Sequence, residues 1–182
     1  MKTRLTAAAI ALSLLLTGCG LKIPGLTSED DTPAVPMRHE LPLPALFADV
    51  PESFERTSSE DIDKYYVCGD ASIVFMEDST PCKDLYEYAI NALVEYQKVA
   101  RSIDNTKDNV ITGDNLLVQT LEFDCVLIED DGPNLHVLVG YVTDTASVFT
   151  VTCKSAPDTF ESHREEFVET LRSLRIDRSG TK

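Results

Sequence analysis

The sequence predicts an α+β fold, an antiparallel sheet with amphipathic helices packed on it, and three observations carry that prediction. Apolar residues recur at three- and four-residue steps between Leu85 and Ile103, the period of a helix with one buried face. Apolar and polar residues alternate from Thr120 to Leu127, which is typical of a half-buried antiparallel strand. A second amphipathic helical pattern lies near the end of the chain, within residues 158–174. Strands enclosed by two such helices form a layered α+β domain.

The elements of the first half follow in order. Residues 54–58 and 64–68 have the composition of short strands, and a turn at Gly69-Asp70 precedes the apolar stretch 71–78. Thr80 is the predicted N-cap of the first helix, with Pro81 at its first position. Residues 105–115, NTKDNVITGDN, break the helical pattern and are predicted to form a loop.

A three-stranded meander and a helix make up the second half. The strands are predicted within 116–130, 135–142 and 147–155, with turns at 131–134 and 144–146. The terminal helix begins with a capping-box pattern, Asp158 and Glu161. It then carries a narrow apolar stripe of Phe160, Phe167, Leu171 and Leu174.

The first residues have the layout of an export signal. Lys2 and Arg4 precede the uncharged apolar run 6–16, which is too short to span a membrane as a helix. Leu16-Thr17-Gly18-Cys19 follows at once and resembles the bacterial lipobox. That resemblance implies cleavage before Cys19 and acylation of its thiol, with palmitate among the acyl chains. It also implies a bacterial cell membrane location on the extracytoplasmic side, periplasmic or cell-surface.

This interpretation divides the chain into four parts. Residues 1–18 are the lipoprotein signal peptide, 19–45 an acylated, proline-rich acidic stalk, 46–177 a single α+β domain and 178–182 a tail. Residues 20–44 hold five of the nine prolines, which is typical of a segment that does not fold alone. The net charge of −15 becomes −17 when the two basic residues of the signal are removed. Such acidity argues against nucleic acid as a partner.

The order of elements resembles a known fold. VPESFE (50–55), short strands, a helix after MEDSTP (76–81), a three-stranded meander and a final helix ending FVETLRSLRID (167–177) are similar to the PsbP-like α-β-α domains. These include the extrinsic P protein of photosystem II, a Ran-binding nuclear import factor and DcrB-type bacterial lipoproteins. The resemblance implies an adaptor or accessory role with no shared reaction.

Four cysteines besides Cys19 are candidates for disulfides in an exported chain: Cys68, Cys82, Cys125 and Cys153. Turns centred on Gly132 and Thr145 would place Cys125 opposite Val139 and Cys153 opposite Val137. The two cysteines would then flank one middle strand, too far apart to be joined. The turn at Gly69 likewise separates Cys68 from Cys82. We therefore expect an early cysteine to pair with a late one, against the alternative of free buried thiols.

No motif indicates catalysis, a metal or a cofactor. Asp104, Thr106 and Asp108 copy the start of an EF-hand loop, but Asn109 and Asn115 replace its glycine and its bidentate glutamate. The acidic stretch 129–134 lacks ligand spacing. The histidines, His39, His136 and His163, belong to no recognised catalytic motif. We expect no catalytic residue, no metal and no cofactor.

One helical row suggests a function. Tyr86, Ile90 and Val94 lie on a shoulder of the first helix where an exposed helix would carry polar groups. Such a row needs a cover, either the stalk end LPLPALF (41–47), a neighbouring loop or a partner. We expect a membrane-anchored, extracytoplasmic binding or accessory domain with a protein partner. The alternatives are an extracytoplasmic hydrolase with a dispersed Ser/His/Asp site and a small-ligand-binding lipoprotein.

Overall fold

The structure is a computed structural model that describes residues 45–59, 62–114, 116–128, 134–144 and 146–179. The predicted signal peptide, the lipidation site Cys19, the stalk up to residue 44 and His39 lie outside the described residues. Residues 131–133 of the predicted turn 131–134 and Asn115 also lie outside them.

The described residues form one large sheet, one small sheet and two helices. The strands of the large sheet are β2 (Glu55–Ser59), β3 (Ile62–Cys68), β4 (Ala71–Asp78), β5 (Ala100–Thr112), β6 (Leu117–Leu127), β7 (Asn134–Thr143) and β8 (Val148–Ser155). Their order is β2-β3-β4-β8-β7-β6-β5, and every neighbouring pair is antiparallel. The short strands β1 (Leu46–Phe47) and β9 (Arg175–Ile176) pair with each other. The helices are α1 (Leu85–Gln97) and α2 (Phe160–Arg172). The predicted α+β class is confirmed.

The two helices cover opposite faces of the sheet. Along β7, Leu138 and Val142 belong to the core beneath α2, which also holds Phe167 and Leu171. The alternate residues of β7, such as Val137, belong to the core beneath α1. Because successive side chains of a strand point to opposite faces, one central strand contributes to both cores. The layers are therefore α1, sheet and α2.

Gly140 lets α2 approach the sheet closely. A Cβ atom at this position would lie 2.6 Å from a methyl carbon of Leu171 and 2.9 Å from one of Val118. Both neighbours are fully buried. The missing side chain therefore sets the distance between the helix and the middle of the sheet.

The start of the described chain is packed under α2. Ala45 and Leu46 are 2% exposed and belong to the α2-side core. The Asp177 amide donates to the carbonyl of Ala45 (2.8 Å), and the Lys64 ammonium donates to the carbonyl of Leu46 (2.6 Å). This part of the LPLPALF segment therefore lies on the face opposite to α1. It does not cover the row of Tyr86, Ile90 and Val94.

The predicted helix and loop in the middle of the chain were wrong at three points. The helix ends at Gln97, and residues 100–112 form strand β5 in place of most of the predicted loop. Ala100 and Ile103 continue the apolar period of the helix only because they face the α1-side core from a strand. The N-cap is Asp84, whose carboxylate accepts from the amides of Tyr86 (2.9 Å) and Glu87 (3.1 Å), in place of Thr80.

The predicted start of the second helix was also wrong. Its N-cap is Thr159, in place of Asp158, and the capping box does not form. The Glu161 carboxylate instead accepts from the Arg164 guanidinium (2.9 Å), one turn along the helix. The Thr159 hydroxyl donates to Asp70 (2.6 Å), in the turn between β3 and β4. A tertiary contact therefore replaces a local cap.

The predicted strand registers were wrong as well. Cys125 lies opposite Leu135, and Cys153 lies opposite Leu138. The β7–β8 register differs by one residue from the prediction, and a one-residue slip moves a side chain to the other face. Cys125 consequently belongs to the α1-side core and Cys153 to the α2-side core.

Candidate interaction surface

The row predicted on α1 is exposed in the folded domain. The side chains of Tyr86, Ile90 and Val94 are 52%, 37% and 47% exposed. The opposite side of the helix is packed, with Ala89 and Tyr96 buried against the sheet. Three large apolar groups on successive turns therefore face away from the core.

The contacts of Tyr88 fix the direction in which this row points. Its hydroxyl donates to Asp78 at the end of β4 (2.9 Å), and its ring meets that of Tyr141 on β7 at 5.8 Å. Tyr88 thus marks the side of α1 that faces the β4 half of the sheet. Ile90, two residues further along a helix with 100° per residue, lies on the opposite shoulder. The exposed row faces the β5 edge of the sheet.

Two further exposed apolar residues lie on the same side. Val110 on β5 and Leu117 on β6 are 50% and 65% exposed. Val110 pairs with Gln119 and Leu117 with Thr112, positions on the α1 face of the sheet. Five of the seven exposed large apolar side chains among the described residues therefore lie on one side of the domain. Isolated exposed apolar residues are normal on a protein surface, but a group of five on one side is more than that. We call Tyr86, Ile90, Val94, Val110 and Leu117 the α1–β5 surface.

Strand β5 forms the edge of the large sheet along this surface. In the described sheet β5 pairs only with β6. Its first half is irregular, with register shifts between Ala100 and Ser102 and between Asp104 and Lys107. Its second half, from Lys107 to Thr112, pairs residue by residue with β6. The Val110 amide donates to the side-chain oxygen of Asn109 (2.8 Å).

The charges beside the α1–β5 surface are mostly negative. Among the described residues, Glu87 on α1 and Asp104 and Asp108 on β5 make no ion pair. Two nearby lysines are paired, since Lys98 lies 2.6 Å from Glu95 and Lys107 lies 3.6 Å from Glu122. Lys83, just before α1, and Arg101, at the start of β5, are exposed and make no ion pair among the described residues. In the regular half of β5 Lys107 is paired, and the carboxylate of Asp108 is the charge left without an ion pair.

A polar cluster lies on the opposite face, under α2. The Arg164 guanidinium donates two hydrogen bonds to the Glu122 carboxylate (2.8 and 2.9 Å) and holds the pKa of that carboxyl at about 2. The two ring nitrogens of His136 lie 2.6 Å from Asp124 and 3.0 Å from Glu122. The ring of His136 stacks on Phe160 with centroids 4.0 Å apart. The cluster connects the N-terminal part of α2 to β6 and β7.

This cluster contains the residue types of the alternative hydrolase. Ser155, His136 and Asp124 lie directly opposite one another on β8, β7 and β6. The Ser155 hydroxyl, however, donates to the carbonyl of Ala156 (3.1 Å), and both ring nitrogens of His136 engage carboxylates. Ser155, His136 and Asp124 therefore lack the serine–imidazole hydrogen bond of a catalytic triad.

The remaining candidate residues are dispersed. His163 packs edge-on against Phe54 (5.8 Å) and lies 2.9 Å from Glu166, one turn along α2. Asp104 and Asp108 lie on β5, where they oppose Asp124 and Leu121 on different faces of the sheet. The described part of the chain contains no group of three or more His, Cys, Asp or Glu side chains placed to hold a metal ion.

The four cysteines of the domain are free thiols in the structure. The predicted disulfide between an early and a late cysteine is therefore not seen. Cys68 packs on the α2-side core together with Cys153, but β4 lies between their strands. Two strand spacings, roughly 9–10 Å, exceed the ~7 Å that a disulfide allows. Burial raises the pKa of the Cys125 thiol to about 11 and that of Cys153 well above its usual range.

Comparison with solved structures shows the fold. A cyanobacterial PsbP (CyanoP) from Synechocystis sp. PCC 6803 superposes with a TM-score of 0.53 at 13% identity, covering 72% of this chain and 91% of that one. The fold is PsbP-like. LpqN of Mycobacterium tuberculosis, described as involved in cell envelope biogenesis, gives 0.56 at 13% identity over 76% of this chain and 87% of its own. The Ran-binding protein Mog1p of Saccharomyces cerevisiae gives 0.51 at 11% identity over 76% and 94%.

No protein family profile and no curated protein sequence matches the chain. At 11–13% identity the structural likeness supports the predicted PsbP-like fold. Within the described residues no helix is long and apolar enough to cross a membrane.

Proposed function

We propose that the protein is a lipid-anchored accessory domain that holds a protein partner at a bacterial membrane through α1. The observation that carries the proposal is the row of Tyr86, Ile90 and Val94, each more than one-third exposed on a helix whose other side is buried. Exposing three large apolar groups in line is unfavourable in water, and a partner that covers them gains their transfer free energy.

The anchor rests on the sequence. A charged start, an apolar run and the lipobox-like Leu16-Thr17-Gly18-Cys19 support acylation of Cys19. Acyl chains contribute about 0.8 kcal/mol per buried CH₂, so several of them hold a domain firmly on a bilayer. The PsbP-like fold of LpqN, a protein of cell envelope biogenesis by its description, is compatible with such a location.

Site-directed crosslinking in intact cells tests the partner surface. A benzophenone amino acid replaces Ile90 on α1 in one strain and Glu165, an exposed residue of α2, in a second strain. We expect a discrete adduct with one protein from position 90 and none from position 165. Tyr86→Ser in the first strain should remove the adduct while the melting temperature stays within a few degrees, because Tyr86 is exposed.

The same adduct from both positions, or none from position 90, would show that α1 is not the contact surface. A large fall in melting temperature for Tyr86→Ser would show that the row stabilises the domain itself.

A further inference from the structure

The α1–β5 surface joins an apolar helix shoulder to an open strand edge. Peptide N–H and C=O groups at a sheet edge can pair with another strand, and proteins usually block long edges with bulges or charges. The first half of β5 carries such irregularities, whereas Lys107–Thr112 is regular. In that regular half the Val110 amide is bonded to the side chain of its own neighbour, Asn109. An incoming strand can take over this donor.

We propose that the partner contributes an extended segment, alternating apolar and basic residues, that adds to the edge of β5 as an eighth strand. This inference rests on the proposed function and names the mode of recognition. Main-chain hydrogen bonds to β5 would supply part of the affinity, and alternate side chains would supply the specificity. The apolar side chains would lie on the α1 face, beside Ile90 and Val110.

The spacing of a strand explains why an extended segment fits better than a helix. Every second side chain of an added strand lies on the same face, 6–7 Å apart. The exposed residues of α1 follow one another at one helical turn, about 5–6 Å. A strand beside β5 therefore presents one apolar side chain to each turn of the row, while its backbone stays within reach of the edge.

The charges favour a basic segment over a second copy of this chain. Asp104 lies on the α2 face of β5, and Asp108 on its α1 face, so carboxylates without ion pairs flank the edge on both sides. Two copies would bring together chains of net charge −15 each. Like charges oppose such an association, whereas lysine or arginine on the partner is attracted to the edge.

The first test uses the full chain in detergent and defined probe peptides at 150 mM salt. Fluorescein-labelled acetyl-(Val-Lys)₄-amide should bind, measured by fluorescence anisotropy. The block peptide Val₄Lys₄, with the same composition, and (Val-Glu)₄ should each bind at least tenfold more weakly. An (Val-Lys)₄ peptide with methylated backbone nitrogens should lose binding because it cannot donate to β5. Equal binding of the block or methylated peptide overturns the proposal, and so does no binding of the unmodified probe.

The second test changes the edge itself. Val110→Pro removes the amide of β5 that donates to the side-chain oxygen of Asn109. Proline is tolerated on edge strands where the lost N–H does not belong to the ladder, so we expect the variant to fold. We expect it to weaken (Val-Lys)₄ binding roughly fivefold to tenfold, the worth of about one main-chain hydrogen bond. The matched variant Val110→Thr keeps the amide and should bind at least threefold more tightly than Val110→Pro. If the two variants bind the probe with equal affinity, strand addition is overturned. If Val110→Pro fails to fold, the comparison of the methylated with the unmodified peptide tests strand addition on the unchanged protein.

The outcome separates this inference from the proposed function. If the adduct at position 90 persists unchanged in Val110→Pro cells and the probe peptide does not bind, the proposed partner surface on α1 stands. The proposal that the partner adds a strand to β5 is then rejected. Sedimentation tests the other occupant, a second copy of this chain. If the protein dimerises with increasing concentration and Val110→Pro abolishes the dimer, a second copy and not a basic segment binds the edge, and the proposal is rejected.

Discussion

Lys154 shows what a single buried charge does to this domain. It lies on β8 opposite Ser72 of β4 and Val137 of β7, on the α1 face, and is 3% exposed. Neither a hydrogen bond nor an ion pair of its ammonium is found among the described residues, and the Ser72 hydroxyl opposite is also buried without a partner. Burial lowers the pKa of Lys154 to about 7. A lysine within a strand gives no sequence signal of this environment.

The lowered pKa makes stability depend on pH. Between about pH 7 and the ordinary lysine pKa of 10.5, the unfolded chain holds a proton that the folded chain has lost, so stability rises with pH. Below pH 7 the folded state carries the full cost of the buried charge. We predict that Lys154→Met raises the free energy of unfolding by about 2–4 kcal/mol at pH 6, and that the gain disappears near pH 10.5. Urea titrations at a series of pH values measure it.

Lys98→Met is the matched control, because that ammonium is half exposed and pairs with Glu95 on the surface. We expect it to change the free energy of unfolding by less than ~0.5 kcal/mol near neutral pH. A Lys154→Met gain that stays constant from pH 6 to pH 10 would show that shape, and not charge, explains the effect.

At the scale of elements, the packing of α2 on β7 depends on one missing side chain. The Gly140→Ala Cβ would approach Leu171 to 2.6 Å and Val118 to 2.9 Å, closer than carbon atoms pack. Since all three residues belong to a dense core, the helix or the sheet must shift. We predict a loss of about 1–3 kcal/mol in the free energy of unfolding, measured by chemical denaturation.

A double-mutant cycle supplies the control. Leu171→Ala alone leaves a cavity, but it removes the methyl group at 2.6 Å, the closer of the two neighbours that an alanine at position 140 would meet. The double variant should therefore lose less stability than the sum of the single variants. Strict additivity would show that the two positions do not clash.

Strand β5 shows how an element escapes prediction. Its residues from Arg101 onwards are exposed or half-buried, because only one edge is paired and each face meets the rest of the domain at few positions, such as Ile103 and Ile111. An edge strand that lacks a buried face shows no clean alternation of apolar and polar residues. NTKDNVITGDN therefore has the composition of a loop although most of it pairs with β6.

For the whole molecule, the proposed anchor gives a direct prediction. Cys19→Ala removes the thiol that acylation requires, and the chain should remain an uncleaved precursor or leave the membrane fraction. Fractionation together with labelling by a palmitate analogue measures both. Cys82→Ala, a change within the folded domain, should stay in the membrane fraction and keep its label. A cleaved, unlabelled Cys19→Ala chain that stays in the membrane would reject the anchor.

The sequence by itself determined the elements whose signal is local. Helix α2 and strand β6 follow from periodicity, since each presents an apolar face at its own period. Strands β7 and β8 are buried on both faces and follow from apolar runs bounded by turn residues. The exposed row on α1 also followed from helical spacing alone, because the angle between side chains on a helix needs no tertiary information.

Only the tertiary structure decided register, edges and partners. Cys125 and Cys153 lie on opposite faces because the β7–β8 register differs by one residue, a shift that turn residues do not specify uniquely. The Thr159 hydroxyl at the start of α2 donates to Asp70, 89 residues away in the chain. Val110 joins the α1 row because β5 folds beside that helix. Each of these depends on contacts between segments far apart in the chain, and local composition carries no record of them.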